Sequence, residues 1–179
     1  HYCGELRKEH VGETVTVCGW MDTKRDRGGV AFILLRDVRG KVQLTFSEED
    51  NPGQLAATKE ARGEFVLRAT GKVRERADEN KTDKLATGDI EVVVDELVIE
   101  NPAVTPAIEV RDDLKCDPEL RLKHRFIDLR RRPMQAMLQA RAKLISAARQ
   151  TLEGEGFLDV ETPVLYKRTP EGARDFIVP

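Results

Sequence analysis

Val30-Ala31-Phe32-Ile33-Leu34-Leu35 is followed by Arg39-Gly40 and then by Lys41-Val42-Gln43-Leu44-Thr45-Phe46. The first run opens after Gly28-Gly29 and is apolar throughout, which is typical of a buried strand bounded by turn residues. The second run alternates polar and apolar residues with a period of two, the pattern of a half-buried strand. Arg39-Gly40 supplies the turn between them. This stretch therefore predicts two neighbouring β-strands.

Further strand signals lie on both sides of this pair. Thr14 to Trp20 is rich in β-branched residues, and Glu64 to Arg76 and Asp89 to Ile99 read as two later strands, with a short helix from Pro52 to Arg62 before them. Three strands, a helix and two strands within residues 1–101 predict a mainly β fold, a five-stranded OB-fold barrel. A small β-sandwich is the alternative, but a helix between the third and fourth strands favours the OB-fold.

The chain changes character near Asn101. Residues 102–120 carry three prolines (Pro102, Pro106 and Pro118) among charged residues, which indicates a hinge. In residues 121–179, apolar residues at three- and four-residue spacing predict an amphipathic helix from about Pro133 to Gly154. A strand, Phe157 to Leu165, is expected next. It contains Pro163, and proline lacks the N–H that a sheet ladder needs, so this strand is expected at an edge or an interface.

Composition excludes several classes of function. A net charge of −2 over 179 residues argues against a generally cationic coat for nucleic acid, so any RNA site must be local. No apolar run is long enough to span a membrane. The three cysteines are odd in number and lack metal-ligand spacing, which favours reduced thiols in a cytoplasmic protein. Motifs for a phosphate-binding loop, a dinucleotide or a catalytic zinc ion are missing from the sequence.

One group of residues has the chemistry of single-stranded RNA recognition. Lys24-Arg25-Asp26-Arg27, read as a loop, could hold phosphates, Phe32 could stack on a splayed base, and Gln43 could read a base edge. Each residue also has a simpler interpretation. An aromatic residue in an apolar run is often core, and a basic turn is often only a solvated surface. Composition and spacing alone leave both interpretations open.

Two other groups are less specific. The stretch from Arg121 to Lys143 holds eight basic residues and one acid, Asp128. It could contact phosphates or could pair with acids elsewhere in the fold. The string Thr169-Pro170-Glu171-Gly172-Ala173-Arg174-Asp175 could form a mobile loop whose Glu171 pairs with a ligand amine, or simply a turn.

Several strings resemble bacterial-type aspartyl-tRNA synthetases of class II, in register from Tyr2 to Pro179. They are Tyr2-Cys3-Gly4-Glu5-Leu6, Val17-Cys18-Gly19-Trp20, Arg36-Asp37, Gly40-Lys41-Val42-Gln43, Thr87-Gly88-Asp89-Ile90-Glu91-Val92, Arg125-Phe126-Ile127-Asp128-Leu129-Arg130-Arg131, Gly156-Phe157-Leu158-Asp159-Val160-Glu161-Thr162-Pro163 and the Thr169 to Asp175 string. The last of these is highly specific.

The resemblance implies an anticodon-binding domain over residues 1–101, a hinge over 102–120 and the start of an α+β class II catalytic domain over 121–179. It further implies that four residues bind the anticodon: Arg25 near it, Phe32 stacking on a base, Gln43 reading the central uracil, and Glu91 contacting the first base. Pro163 would lie at a homodimer interface, and Glu171 would meet the ammonium group of L-aspartate.

For the whole enzyme the resemblance implies ATP-dependent ligation of L-aspartate to tRNA(Asp), with Mg²⁺ as cofactor. The sequence ends before the family's second and third signature motifs, so we expect no catalytic residues here, no bound ATP or Mg²⁺, and an inactive fragment. Arg27 and Thr23-Lys24 depart from the family pattern, which leaves charging of tRNA(Asn) open. The alternative function is a stand-alone OB-fold module that binds single-stranded nucleic acid without catalysis.

Overall fold

Five strands make up the first part of the chain: β1 (Thr14–Arg27), β2 (Val30–Arg36), β3 (Lys41–Ser47), β4 (Val66–Glu75) and β5 (Ile90–Asn101). The computed structural model describes residues 1–163. The strands close into a barrel in the order β1-β2-β3-β5-β4. All neighbouring strands are antiparallel except β3 and β5, which are parallel. Helix α1 (Pro52–Ala57) lies between β3 and β4 in the chain. The predicted mainly β OB-fold is thereby confirmed.

Side chains alternate between the two faces of the sheet, and the inward-facing ones fill the barrel. Along β2 every second residue is buried, and β1 and β4 show the same period of two over most of their length. The fully buried side chains come from every strand and from the short 3-10 turn Cys3–Glu5. They include Leu6, Val15, Val17, Ile33, Leu35, Val42, Leu44, Phe46, Leu67, Val73, Ile90 and Val92. Because this core occupies the interior, any ligand site of the barrel must lie on its outer face or at its ends.

The chain divides into two compact units, His1–Ala107 and the residues from Ile108 onward. The second contains α2 (Pro118–Lys123), α3 (Arg125–Asp128) and α4 (Arg132–Gly154). Pro118 and Pro133 stand in the first turns of α2 and α4, where a missing N–H costs nothing. The amphipathic helix that the sequence predicts is therefore present as α4. Its apolar residues Met137, Leu138, Leu144, Ile145 and Leu152 are exposed.

The strand expected from Phe157 to Leu165 is not formed in the part that the structure describes. Residues 157–163 follow α4 without regular structure and are exposed. A strand is stabilised by backbone hydrogen bonds to a neighbour. Within residues 1–163, all the strands belong to the barrel. The apolar character of this segment is thus not enough to make it a strand here.

Candidate nucleic-acid interface

The basic string that was read as a loop lies on strand β1. Arg25 pairs with Phe32 of β2, and Arg27 pairs with Val30. Only Gly28 and Gly29 form the turn, with φ of 44° and 86°. Positive φ at both central residues is typical of a tight two-residue hairpin turn, and glycine adopts it without strain. Because the turn contains only two residues, the basic residues before it belong to strand β1. Pairing of β1 with β2 then places Arg25 beside Phe32.

Phe32 is an outward-facing residue, and not part of the core. Its neighbours Ala31 and Ile33 are fully buried, whereas Phe32 is only partly buried. It stands opposite Arg25 on one side and Thr45 of β3 on the other. A partly exposed ring on the sheet surface can stack on a base. The structure therefore removes the simpler interpretation, in which Phe32 is a core residue.

Gln43 and Thr45 also lie on the outer face, but they are more buried than the alternating pattern predicts. The five central residues of β3 are all buried, including Gln43 at 6% and Thr45 at 3% exposure. The cause is the neighbouring strand β5, whose Glu91 bonds to both side chains. A half-buried strand was expected because the sequence does not show that β5 lies next to β3.

Glu91 is the centre of a hydrogen-bond network. Gln43 donates from Nε2 to its Oε2 at 3.0 Å, and Thr45 donates from Oγ1 to the same oxygen at 2.8 Å. Arg74 of β4 donates to the other oxygen, from Nε at 3.1 Å and from Nη2 at 2.8 Å. Glu91 is only 8% exposed. Neutral donors from β3 and a charged donor from β4 thus hold the buried acid of β5.

Three arginines lie in this region. Arg25 is exposed, and its Nη2 lies 3.5 Å from Gln43 Oε1, a long contact. Arg74 is half exposed. Burial lowers the pKa of the Arg76 guanidinium, the charge of Glu91 opposes this, and Arg25 lowers it further. Arg74 is paired with Glu91 and lies 3.9 Å from Asp50, so Arg25 is the exposed arginine of this group that a phosphate could approach.

Sequence reasoning missed Thr45, Arg74 and Arg76. Arg74 pairs with Glu91 across β4 and β5, so counting outward positions along both strands would have put them on the same face. The signal for Thr45 was the same alternation that singled out Gln43. Arg76 had no signal, since its burial and the unbonded Nη2 depend on the folded chain around it.

The remaining predicted site residues belong to the second unit. Pro163 is exposed and lies in the segment without regular structure. Glu171 lies outside the described residues. The basic stretch from Arg121 has a structural role, because Arg121, Arg125 and Arg131 all bond to the buried carboxylate of Asp128. Arg131 also donates to the carbonyl oxygens of Arg111 and Asp112. Three of the eight basic residues thus pair with the acid of the stretch itself.

In residues 1–163, no cluster of three or more His, Cys, Asp or Glu side chains is arranged to hold a metal ion. No helix in the same range is both long and apolar enough to cross a membrane.

Comparison with known proteins agrees with the architecture. Residues 15–100 match the family described as OB-fold nucleic acid binding domain, and residues 117–179 match tRNA synthetases class II (D, K and N). The crystal structure of asparaginyl-tRNA synthetase from Pyrococcus horikoshii superposes with a TM-score of 0.78 at 26% identity, covering 93% of this chain and 38% of that one. Aspartyl tRNA synthetase from Entamoeba histolytica, at 20% identity and a TM-score of 0.80 over 90% of this chain and 38% of that one, shows the same fold.

Curated relatives match over nearly the whole chain. The aspartate–tRNA(Asp/Asn) ligase of Synechococcus sp. (strain WH7803) is 47% identical over 180 residues, 99% of this chain and 30% of the relative. That of Natranaerobius thermophilus is 45% identical over 100% of this chain and 31% of the relative. The chain thus spans about 30% of the length of these relatives. With an OB-fold domain followed by a match to class II synthetases, the chain has homologues named aspartate–tRNA(Asp/Asn) ligases over nearly its whole length.

Proposed function

We propose that the outer face of the barrel binds the anticodon loop of tRNA(Asp). The observation that carries this is the position of four side chains on one face: Arg25, Phe32, Gln43 and Glu91. The partly exposed ring of Phe32 stacks on a splayed base, Gln43 reads the central uracil, and Arg25 lies at the exposed edge, where phosphates approach. Glu91 belongs to the same site, because it accepts the hydrogen bond that Gln43 donates.

Binding of a fluorescently labelled RNA hairpin with the tRNA(Asp) anticodon loop tests this proposal. Replacing Phe32 by alanine removes the stacking surface, which contributes about 1–3 kcal/mol per base. We expect the dissociation constant to rise about tenfold or more, measured by fluorescence anisotropy at fixed salt. Phe126→Ala is the matched control, because Phe126 is an exposed phenylalanine of α3 outside the barrel.

Two results would contradict the proposal. One is equal binding by the wild type and Phe32→Ala. The other is equal affinity of the wild type for this hairpin and for an unrelated single-stranded RNA of the same length, which would instead support a general OB-fold binding module.

We propose that the longer protein is an aspartate–tRNA ligase that uses L-aspartate, ATP and Mg²⁺ and acts in the cytoplasm. The support is the names of relatives 45–47% identical to this chain, and, for the compartment, three free cysteines. Those names include tRNA(Asn), which we propose as a second partner. Aminoacylation of each purified tRNA by the longer protein would test both activities.

We also propose the boundaries 1–101, 102–120 and 121–179 for the anticodon-binding domain, hinge and catalytic start, and a homodimer with Pro163 at its interface. The exposed apolar residues of α4 support such an interface. Glu171 is proposed to bind the aspartate ammonium group. Sedimentation of the longer protein would test the dimer, and a monomer at micromolar concentration would contradict it.

A further inference from the structure

Helix α4 begins with a cap that comes from much earlier in the chain. The first N–H groups of a helix have no partner within it, and the side chain of Arg131, the residue before α4, does not cap them. Instead, Asp112 accepts a hydrogen bond from the backbone N–H of Arg132 at 3.2 Å, and its other oxygen lies 3.8 Å from Arg132 Nε. A carboxylate at this end of a helix also complements the helix dipole. The segment around Asp112 therefore stabilises the start of α4.

The backbone of the same segment is bonded to Arg131. The guanidinium donates from Nε to the carbonyl oxygen of Arg111 at 2.8 Å and from Nη2 to that of Asp112 at 3.0 Å. Its Nη1 donates to the buried Asp128 at 2.9 Å. Because Arg131 is itself buried, water competes little for these bonds. Two carbonyl oxygens and one carboxylate thus fasten the segment to the start of α4.

Residues 103–107, a little earlier in the chain, are held much less. They make no hydrogen bond or ion pair with any residue in the described range 1–163. Val104 is 91% exposed. The boundary between the two compact units also falls after Ala107. The stretch 102–120, which the sequence predicts to be one hinge, therefore contains a free part and a fastened part.

We propose that residues 109–113, here called the strap, belong to the second unit as the cap of α4, and that the flexible joint of the chain is confined to residues 103–107. Asp112 and Arg131 are the residues that fasten the strap. This inference goes beyond the proposed anticodon binding, on which it does not depend. It also shortens the proposed hinge, because the strap stays with α4 when the joint bends.

Limited proteolysis of the 179-residue chain with elastase tests the proposal. Elastase cuts after small aliphatic residues, and the chain offers one valine in each part, Val104 in the joint and Val110 in the strap. Fastened backbone must come free before it is cut, so the rate follows the open fraction. Each rate is divided by the rate at the same bond in a synthetic peptide of residues 100–118. Cutting after Val110 should then be slower than cutting after Val104 by about tenfold or more, the effect of one hydrogen bond to a charged group.

Two variants unfasten the strap in different ways. Asp112→Ala removes the cap of α4. Arg131→Lys keeps a positive charge beside Asp128 but lacks the planar group that reaches two carbonyl oxygens at once. Each variant is expected to raise the rate of cutting after Val110 by about tenfold, relative to the peptide with the same substitution. The rate of cutting after Val104 should not change.

Each variant has a matched control. Asp113→Ala alters the neighbouring aspartate, whose carboxylate pairs with Arg111 inside the strap. Arg141→Lys makes the same exchange of arginine for lysine at an exposed position of α4. Both controls should leave the ratio of the two cutting rates as in the wild type.

Urea unfolding followed by circular dichroism at 222 nm measures the capping itself. Asp112→Ala should lower the midpoint more than Asp113→Ala, because only the former removes a helix cap. Asp112→Asn should restore both the midpoint and the slow cutting, since an asparagine oxygen can still accept from the N–H of Arg132. The proposal is overturned if the wild type is cut after Val110 as fast as after Val104. It is also overturned if the two unfastening variants are cut after Val110 no faster than their controls.

Discussion

Replacing Asp128 by asparagine is expected to destabilise the helices of the second unit by about 3 kcal/mol. Asp128 is completely buried and accepts from three arginines, at 2.8 to 3.2 Å. Removing one partner of a buried ion pair typically costs about 3–5 kcal/mol, because the other charge is left unpaired. Arg121 and Arg125 are 31% and 42% exposed and can turn to water, but Arg131 is only 9% exposed. Only Arg131 would be left buried without its charged partner, so the expected loss lies near the lower limit of this range.

Urea unfolding followed by circular dichroism at 222 nm measures this effect, since α4 alone supplies 23 helical residues. Trp20 fluorescence follows the barrel in the same samples. Asp113→Asn is the matched control. Its side chain is 74% exposed and pairs with Arg111, and water screens such an exposed pair, so its loss should change stability little. If Asp128→Asn lowers the helical midpoint no more than Asp113→Asn, the reasoning about the buried carboxylate is wrong.

The same comparison has a predicted pH dependence. Hydrogen bonds from Arg121, followed by those from Arg131, hold the pKa of Asp128 below its ordinary value, and burial only partly opposes them. A lowered pKa in the folded state means that Asp128 stabilises the fold fully above the unfolded pKa of about 3.9. This stabilisation is lost as the pH falls through the folded-state pKa. The difference between wild type and Asp128→Asn should therefore be constant from about pH 5 to 8 and shrink below about pH 4.

Two further predictions concern the barrel. A Cβ added at Gly71 would lie 2.1 Å from a backbone carbonyl oxygen of β5, so Gly71→Ala should lower the urea midpoint of Trp20 fluorescence strongly. At Gly53 in α1 the added Cβ would make only an ordinary contact, with Asn51 Oδ1 at 3.8 Å, so Gly53→Ala should be neutral or stabilising by up to about 1 kcal/mol. Equal midpoints for the two variants would contradict this. Burial raises the pKa of the Cys3 thiol, which is completely inaccessible. Thiol titration of the native protein at pH 8 should therefore detect the other two cysteines at once and Cys3 only after denaturant is added, and three rapid thiols would contradict it.

The fold was predictable because each strand carries its own local signal. The apolar run at Val30 and the alternating run at Lys41 became β2 and β3 almost residue for residue. The basic string after Thr23 was misread, since its loop-like composition hid a strand that ends only at Gly28-Gly29. Helix α1 ends at Ala57, earlier than the predicted Arg62. Local propensity fixes where an element exists better than where it ends.

The candidate site was only partly predictable, for a physical reason. Phe32 and Gln43 lie 11 positions apart on neighbouring strands, so alternation was enough to place them together. Glu91 comes from β5, and its position beside Gln43 depends on the insertion of β5 between β3 and β4. A one-dimensional pattern does not contain this order. The family resemblance supplied Glu91, but the bonds that saturate its carboxylate became visible only in the structure.

In the proposed site, the residues expected to give affinity differ from those expected to give selectivity. Arg25 is exposed at its edge, so it can follow a phosphate backbone, and salt screens such contacts. Gln43, Thr45 and Glu91 are buried and already bonded to one another, so binding a base costs them little further ordering. Rigid groups reject a wrong base because they cannot rearrange to meet it. Buried polar side chains on the outside of a barrel would otherwise be a cost to stability, and here they are held in place by each other. Selectivity among bases should therefore arise from the bonded interior of this face, and the overall strength of RNA binding from its arginine edge.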